Sequence, residues 1–577
     1  MSKVLKQIIV FAIVISVNQI FSQERANDTI NTDVVNVVKP YTPTISDAFK
    51  VKETPTINNE EALTKKEVKY NIYSFPVAST FTPAKGKAAD VDKAEKEKLF
   101  DNYASVGVGT YTTILGELYL NQALNNSESV GGYINHHSSQ GGIEGLFLDD
   151  SFSDSKINVN YKNNLSTYSW NVEAGYQYQK FNWYGIDQSV YTQTNANAIN
   201  PEHAFNTAHF GAEINFDPAI INNGSFLFRR FSDDQGSGEN RLVVKSDFDF
   251  EIGDHEIVAD LKLDYLSGSF DRNYETTDEL NYGNFQLGFA PSYQIKQNDL
   301  TVNFGASFYY FNDTEADNNK FYIYPKINVS YRLVDDILIA YGGIGGDLIQ
   351  NSYYGFAQEN PYVSPTLFIM PTNQQYKAFI GLKGKLSNSM SYNLRGSYYN
   401  EKDKALYKNN LAYIAPIDNE DYFYGNSFGI VYDDVTTLNL FGELNVDVNR
   451  DFTLGIKAEY FAYDVDVEEQ PWNLPDFKGS LFMDYQIDDH WFMGANLFYN
   501  GERKDEFRLS NESTITAERI NLDSYFDANA HLGYKINEQF SVYAKANNIA
   551  NQKYQRYLNF PVQGIQFLAG ATYKFDF

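Results

Sequence analysis

The histidines are the first residues to consider for catalysis or metal binding, because the sequence contains seven of them and no cysteine. His136 and His137 are adjacent, so on a strand their side chains would point to opposite faces and could not share a metal ion. His203 and His209 would lie on one face of a strand, but about 20 Å apart. The other three are isolated in the sequence: His255, His490 and His531. We therefore predict no zinc site.

Other motifs for catalysis or ligand binding are also weak. The sequence contains no nucleophile elbow, phosphate-binding loop or dinucleotide fingerprint in a suitable context. Asp233–Glu239 places acidic residues beside two glycines, but it lacks the spacing of an EF-hand loop, so a solvated loop is the simpler interpretation. The sequence thus predicts no enzyme, metal or cofactor. A barrel enzyme with a serine–histidine or aspartate–histidine pair at its rim stays open as an alternative.

The composition limits the class of protein. A formal net charge of −28 argues against nucleic acid as a partner, because a nucleic-acid binder needs the opposite sign. The chain has 45 Tyr and 43 Phe, yet only 43% of its residues are hydrophobic. Many aromatic residues without a large apolar fraction are typical of a membrane barrel, whose outer face is apolar and whose interior is polar.

The elements that would carry these side chains are strands. From Tyr103 onward, apolar and polar residues alternate in stretches of about 10–14 residues, a length that suits tilted strands crossing a bilayer. The clearest stretches are Ile257–Tyr265, Leu300–Tyr310, Tyr376–Leu386 and Leu438–Val448. Charged residues strictly opposite an apolar face need water, so the polar face is predicted to line a lumen. The predicted lumen-facing residues are Asp260, Lys262, Asp264, Lys377, Lys383, Lys385, Glu443, Asn445 and Asp447.

The lengths of the connections distinguish a barrel from a secreted β-sandwich, which also alternates. Short turns are predicted to alternate with long polar connections, as they do in outer-membrane barrels. The long connections are predicted near 269–281, 313–319, 350–374, 402–426, 466–474, 502–518 and 549–563. We predict an all-β fold, a transmembrane antiparallel barrel over 103–577. Counting its strands suggests about 20–22, and an even number favours 22.

Both ends of the chain point to export and membrane insertion. Two lysines precede an apolar run over 8–17, which predicts a signal peptide over 1–22. Without cysteine, lipid anchoring is excluded. At the other end, Tyr573, Phe575 and Phe577 share one face of an alternating strand. An aromatic terminus of this kind resembles the signal that outer-membrane barrels present to their assembly machinery.

Residues 23–102 form a different region. They contain five prolines and little periodicity, so a mostly irregular periplasmic segment is predicted. Such a segment could bind a periplasmic or lipoprotein partner by strand addition.

Three motifs resemble TonB-dependent receptors of Bacteroidota. They are Ala104–Tyr111, Asn360–Leu367 and the closing motif Asn547–Tyr554, and the resemblance covers roughly 103–577. It implies a receptor barrel in the outer membrane. The sequence departs from the family because 23–102 is too short for the family's plug domain and lacks its glycine-rich motifs. Asp33–Val38 resembles the TonB-binding box only loosely, so the sequence does not by itself predict coupling to TonB.

The resemblance and the alternation together predict an exported outer-membrane barrel for solute transport, or a pore like a porin. The alternative is a non-conducting structural or assembly partner in an outer-membrane protein complex. In either case the predicted partners are outer-membrane lipid and the barrel assembly machinery, and no nucleic acid is expected.

Overall fold

The computed structural model describes residues 98–217, 220–252, 255–414, 420–511 and 514–577. The predicted signal peptide over 1–22, Asp33–Val38 and nearly all of 23–102 lie outside the described residues. No helix among the described residues is long and apolar enough to cross a membrane.

Strands dominate the described chain. In chain order they are β1 (Asn102–Gly109), β2 (Thr113–Ala123), β3 (Glu128–Ser139), β4 (Phe152–Asn164), β5 (Tyr168–Asn182), β6 (Glu202–Phe216), β7 (Ile221–Asp233), β8 (Gly238–Ile252), β9 (His255–Phe270), β10 (Leu280–Gln297), β11 (Leu300–Asp313), β12 (Asn318–Val334), β13 (Leu338–Ile349), β14 (Thr372–Ser387), β15 (Met390–Asn409), β16 (Ala412–Tyr413), β17 (Phe428–Asp447), β18 (Phe452–Val465), β19 (Phe477–Gln486), β20 (Trp491–Asn500), β21 (Arg503–Asn511), β22 (Thr514–Leu522), β23 (Tyr525–Lys535), β24 (Phe540–Asn547), β25 (Gln555–Tyr557), β26 (Phe560–Pro561) and β27 (Gln566–Phe575). The helices α1 (Gln193–Ala196) and α2 (Tyr353–Glu359) are short, and a 3-10 turn covers Thr110–Thr112.

Twenty-two of the described strands form one closed sheet, and every pairing in it is antiparallel. The last strand, β27, pairs with β24 on one side and with β1 on the other, where Val106 lies opposite Ala571. This closure leaves no free sheet edge, which is what a strand-built wall in lipid requires. The prediction of a 22-stranded antiparallel barrel is confirmed.

The predicted alternation is visible in β17. Leu438 and Leu440 are 46% and 51% exposed, whereas Asn439 and Phe441 between and beyond them are 1% and 6% exposed. The same alternation of exposed apolar side chains recurs in β11, where Phe304 and Phe308 are exposed. Side chains alternate between the two faces of a strand, so one face of the wall is apolar and outward, and the other is mostly polar.

The connections differ between the two rims of the barrel. On one rim, the described turns have at most four residues, as between β10 and β11 or between β14 and β15. On the other rim, several connections are long, with 350–371 and 501–524 among them. One predicted long connection is different: near 313–319 the chain makes a four-residue turn, because β11 and β12 extend beyond the predicted stretches.

Candidate functional site

The long connections pack together at one end of the barrel. We call the segments 140–151, 183–201, 350–371, 410–427, 501–524 and 548–565 the loop cap, of which 415–419 and 512–513 lie outside the described residues. Their buried side chains form one hydrophobic cluster with the adjoining strand ends. Its largest fully buried members include Trp183, Tyr353, Tyr422 and Phe560. Buried aromatic rings contribute large apolar contacts, so the cap is a packed core rather than a set of solvated loops.

Ring stacking joins segments that are distant in sequence. Tyr362 stacks on Phe560 with ring centroids 3.9 Å apart, which links 350–371 to 548–565. Trp183 stacks on His203 at the same distance, and a ring nitrogen of His203, Nε2, lies 2.7 Å from the carbonyl oxygen of Pro361. His203 therefore packs within the cap.

Two carboxylates hold the beginning of α2 in the cap. Glu239 Oε2 accepts hydrogen bonds from the backbone N–H of Tyr353 at 2.6 Å and from the Tyr282 hydroxyl at 3.0 Å. The Tyr353 hydroxyl donates to Asp233 Oδ2 at 2.7 Å. The predicted solvated loop at Asp233–Glu239 is thus a tight turn whose end, Glu239, is only 1% exposed. A buried carboxylate needs such donors, so these bonds fix α2 to the barrel wall.

The end of α2 is held by Glu359. The Tyr407 hydroxyl donates to Glu359 Oε2 at 3.0 Å, and Arg556 Nη2 and the Tyr557 hydroxyl donate to its carbonyl oxygen at 3.1 and 3.2 Å. Burial raises the pKa of the Glu359 carboxyl, and the hydrogen bond from Tyr407 partly opposes that shift. Both ends of α2 are therefore anchored to neighbouring elements.

A fourth carboxylate, Asp505 on β21, joins the cap to the end of β15 and to the connection after β18. Its Oδ1 accepts the backbone N–H of Asn409 at 3.0 Å, and its Oδ2 accepts Asn473 Nδ2 at 2.8 Å. Asp505 is fully buried, and this burial raises the pKa of its carboxyl to about 6 although the hydrogen bonds oppose the shift. The side chain connects β15, β21 and the connection after β18.

The predicted lumen residues of β9 belong to ion pairs. Asp264 is completely buried on the face opposite the exposed Tyr265. Arg241 Nη2 and Lys262 Nζ lie 2.7 and 3.1 Å from Asp264 Oδ2. Asp260 pairs with Lys326, whose Nζ lies 2.6 Å from its Oδ2.

The predicted lumen-facing residues of β17 lie near the short-turn rim. Their polar contacts are longer than the ion pairs of β9. Lys457 Nζ lies 3.5 Å from Glu443 Oε1, and Asn445 Nδ2 donates to the same oxygen at 3.2 Å. Asp447 Oδ1 accepts the Thr453 hydroxyl at 3.3 Å. These residues and those of β9 do not meet in one site.

Two of the three predicted lysines of β14 contact aromatic rings. Lys377 Nζ lies 4.9 Å from the centroid of the Tyr399 ring, and Lys383 Nζ lies 5.3 Å from that of Tyr341. Lys385 is exposed near the end of the strand.

The three terminal aromatic residues form a row. Tyr573 and Phe575 have ring centroids 5.7 Å apart, and Phe575 and Phe577 have theirs 5.6 Å apart. Tyr573 and Phe577 are exposed.

Sequence reasoning missed the residues that hold the cap, namely Glu239, Glu359 and Asp505. The available signal was that the long connections are rich in Tyr, Phe and Trp, which is unusual for solvated loops. Within the described ranges, no group of three or more His, Asp or Glu side chains is arranged to hold a metal ion.

No protein-family model matches the sequence. Solved receptor structures share the fold. The siderophore receptor PirA from Acinetobacter baumannii has a TM-score of 0.60 and 11% identity, over 83% of this chain and 81% of that chain. The ferric-catecholate import receptor Fiu from E. coli K12 has a TM-score of 0.59 and 12% identity, over 83% and 82%. The ferripyoverdine receptor of the Pseudomonas aeruginosa outer membrane has a TM-score of 0.60 and 14% identity, over 83% and 72%. The chain therefore has the fold of outer-membrane receptor barrels.

Proposed function

We propose that this protein is an outer-membrane transport barrel of the TonB-dependent receptor type, in which the loop cap gates a polar lumen. The observation that carries the proposal is a closed 22-stranded wall whose long-loop end is filled by a packed cap. A wall of 22 strands is wide enough for a lumen, unlike small barrels whose side chains fill the interior. The shared fold with siderophore and import receptors supports transport as the general role.

The polar face of the wall supports the passage of a hydrophilic solute. Asp260, Lys262, Asp264 and their partners would line the lumen on one side, and the lysines of β14 would line it on another. Charged side chains facing an aqueous passage interact with a polar solute, whereas an apolar interior would exclude it.

In this proposal both ends of the chain have roles in export, partner binding and membrane assembly. Residues 1–22 direct export, and 23–102 lie in the periplasm, where they are available to a periplasmic or lipoprotein partner. Tyr573, Phe575 and Phe577 present the assembly signal to the barrel assembly machinery. The exposed apolar face contacts outer-membrane lipid.

Planar-bilayer conductance tests the gate. The intact chain should pass little current, and a variant in which Tyr353–Glu359 is replaced by a Gly-Ser segment of equal length should pass a large, steady current. The reason is that the replacement removes the Tyr353 hydroxyl that bonds to Asp233, the Glu359 carboxylate that accepts from Tyr407, and several buried rings. Replacing the exposed stretch Thr514–Glu518 of β22 in the same way is the matched control and should leave the current low.

The non-conducting platform is the second candidate, because the hydrophobic packing of the cap also fits a barrel end that stays closed. A platform would keep its lumen sealed by the wall and by bound partners. If the variant lacking α2 is folded yet passes no current, transport is wrong and the platform is supported.

A further inference from the structure

We propose that the polar face of β14 and β15 binds an anionic solute carrying phosphate or carboxylate groups. This inference rests on the proposed transport function and names the chemical class of its solute. Lys377, Lys383 and Lys385 occupy one face of β14 over about 27 Å of strand. Arg395 lies on β15 directly opposite Gly381, between the positions of Lys377 and Lys383. Four cations thus share one strip of the barrel wall.

The cations of this strip form no close ion pair with a carboxylate among the described residues. In the part of the chain that the structure describes, none of the four cations has a carboxylate oxygen within 4.0 Å. Glu401 and Glu459 attract Lys377 from beyond 4.0 Å. Glu401 also contacts Lys404, and Glu443 contacts Lys457. A strip of four cations contrasts with the formal net charge of the chain, which is −28. Like charges on one strip repel one another, so an entering anion would stabilise them.

Aromatic rings contact three of these four cations without bringing an opposite charge. The guanidinium carbon of Arg395, Cζ, lies 5.1 Å from the centroid of the Phe441 ring. The Tyr399 ring supports Lys377 and the Tyr341 ring supports Lys383 at the distances given above. A cation over a ring face gains roughly 0.5–1 kcal/mol, and a ring brings no opposite charge. The rings therefore position the cations for a ligand.

Gly381 makes the Tyr341 contact possible. A Cβ atom at position 381 would come within 2.5 Å of Tyr341 Cζ, so this close approach of the ring to β14 requires glycine. The Tyr341 hydroxyl then reaches β15 and donates to Asn393 Oδ1.

Arg395 provides the recognition chemistry. Its Nε is buried and has no hydrogen-bond partner among the described residues. The guanidinium group therefore keeps N–H donors that the protein does not satisfy. A planar guanidinium matches the paired oxygens of phosphate and carboxylate, which is why the strip favours these anions over chloride.

Chemical labelling of the full chain in detergent tests the site directly. A water-soluble acylating reagent would be applied in inorganic phosphate, in citrate and in sodium chloride at equal ionic strength, and each lysine would be quantified by peptide mass spectrometry. Lys383 and Lys385 should be labelled at least about threefold more slowly in phosphate or citrate than in chloride, as expected for a mostly occupied site. Lys457, which pairs with Glu443, should be labelled equally in all three.

An Arg395→Gln variant should lose this protection, whereas Lys457→Gln should retain it. Heat-modifiable mobility in gels would show that both variants are folded. Equal slowing of all lysines, no slowing at Lys383 and Lys385, or no labelling of these two in chloride would each overturn the proposal. Protection in only one of the two anions would identify which group the site prefers. Labelling reports binding and not current, so its failure is distinguishable from failure of the gate.

Discussion

A positive charge introduced on the apolar face of β17 should impair insertion, whereas the same charge on the polar face should not. Leu440 is half-exposed on the apolar face, and Glu443 lies on the polar face beside Lys457. An arginine facing lipid at the bilayer midplane costs roughly 2–4 kcal/mol. We therefore expect Leu440→Arg to reduce the folded, inserted fraction and Glu443→Arg to leave it unchanged, as measured by heat-modifiable mobility in gels. Equal losses, or the reverse order, would show that the faces are wrongly assigned.

Asp505 should make the cap less stable as pH rises. Its pKa in the folded cap is about 6, above the ordinary value of 3.8, so the folded state binds the proton more tightly than the open state does. A raised carboxyl pKa means that stability is greatest below about pH 4 and falls until the pH passes about 6. Between pH 5 and 7.5, the protection free energy of the Asn409 and Glu506 amides should fall by about 1 kcal/mol in hydrogen exchange, corrected for intrinsic rates.

The Asp505→Asn variant is the control for this titration. An amide accepts a hydrogen bond from Asn409 or Asn473 but does not ionise, so the cap should be weaker at all pH values and its pH dependence should flatten. An unchanged pH dependence in the variant would assign the titration to another group.

The segment 350–371 is the element that should decide whether the cap opens. Val363 pairs with Phe428 of β17 in an isolated parallel bridge, and the chain has no native cysteine. Neighbours in such a bridge lie within the reach of a disulfide. We expect the oxidised double variant Val363→Cys/Phe428→Cys to stay non-conducting in moderate urea, which weakens loop packing before it opens the barrel. The wild type should begin to conduct in the same urea.

Reduction of that disulfide should restore the urea-induced current, and the single variant Val363→Cys should behave like the wild type. A current that rises equally in the oxidised variant would mean that the 350–371 segment does not form the gate.

The whole molecule depends on closure between its first and last strands. Until β27 pairs with β1, backbone groups facing lipid are unsatisfied at several kcal/mol each. Phe577 lies just beyond β27 and is 76% exposed, so deleting it should slow recognition without disturbing the pairing. The membrane-inserted fraction after a pulse of synthesis should fall, and Phe577→Tyr should restore it. An inserted fraction equal to that of the intact chain would show that the terminal residue carries no signal.

The barrel could be predicted from the sequence because the residue pattern that specifies each strand and each short turn is local. Each strand carries its own two-residue period, as Leu438–Val448 illustrates, and each short turn fixes the pairing of its neighbours. Even the strand number follows from counting such units. The polar positions Asp260 and Glu443 could be chosen for the same reason, because alternation places them opposite apolar neighbours.

The cap could not be predicted in this way, because it depends on contacts between distant parts of the chain. Tyr362 meets Phe560, and Glu239 meets Tyr353, although no period relates these residues and each lies in or beside an irregular connection. The turn at Asp233–Glu239 contains no aromatic residue, so nothing in its local sequence indicates that Glu239 is buried. Which rings become buried is set by the closed wall, since only closure brings the long connections to one end and leaves them a common interior to fill.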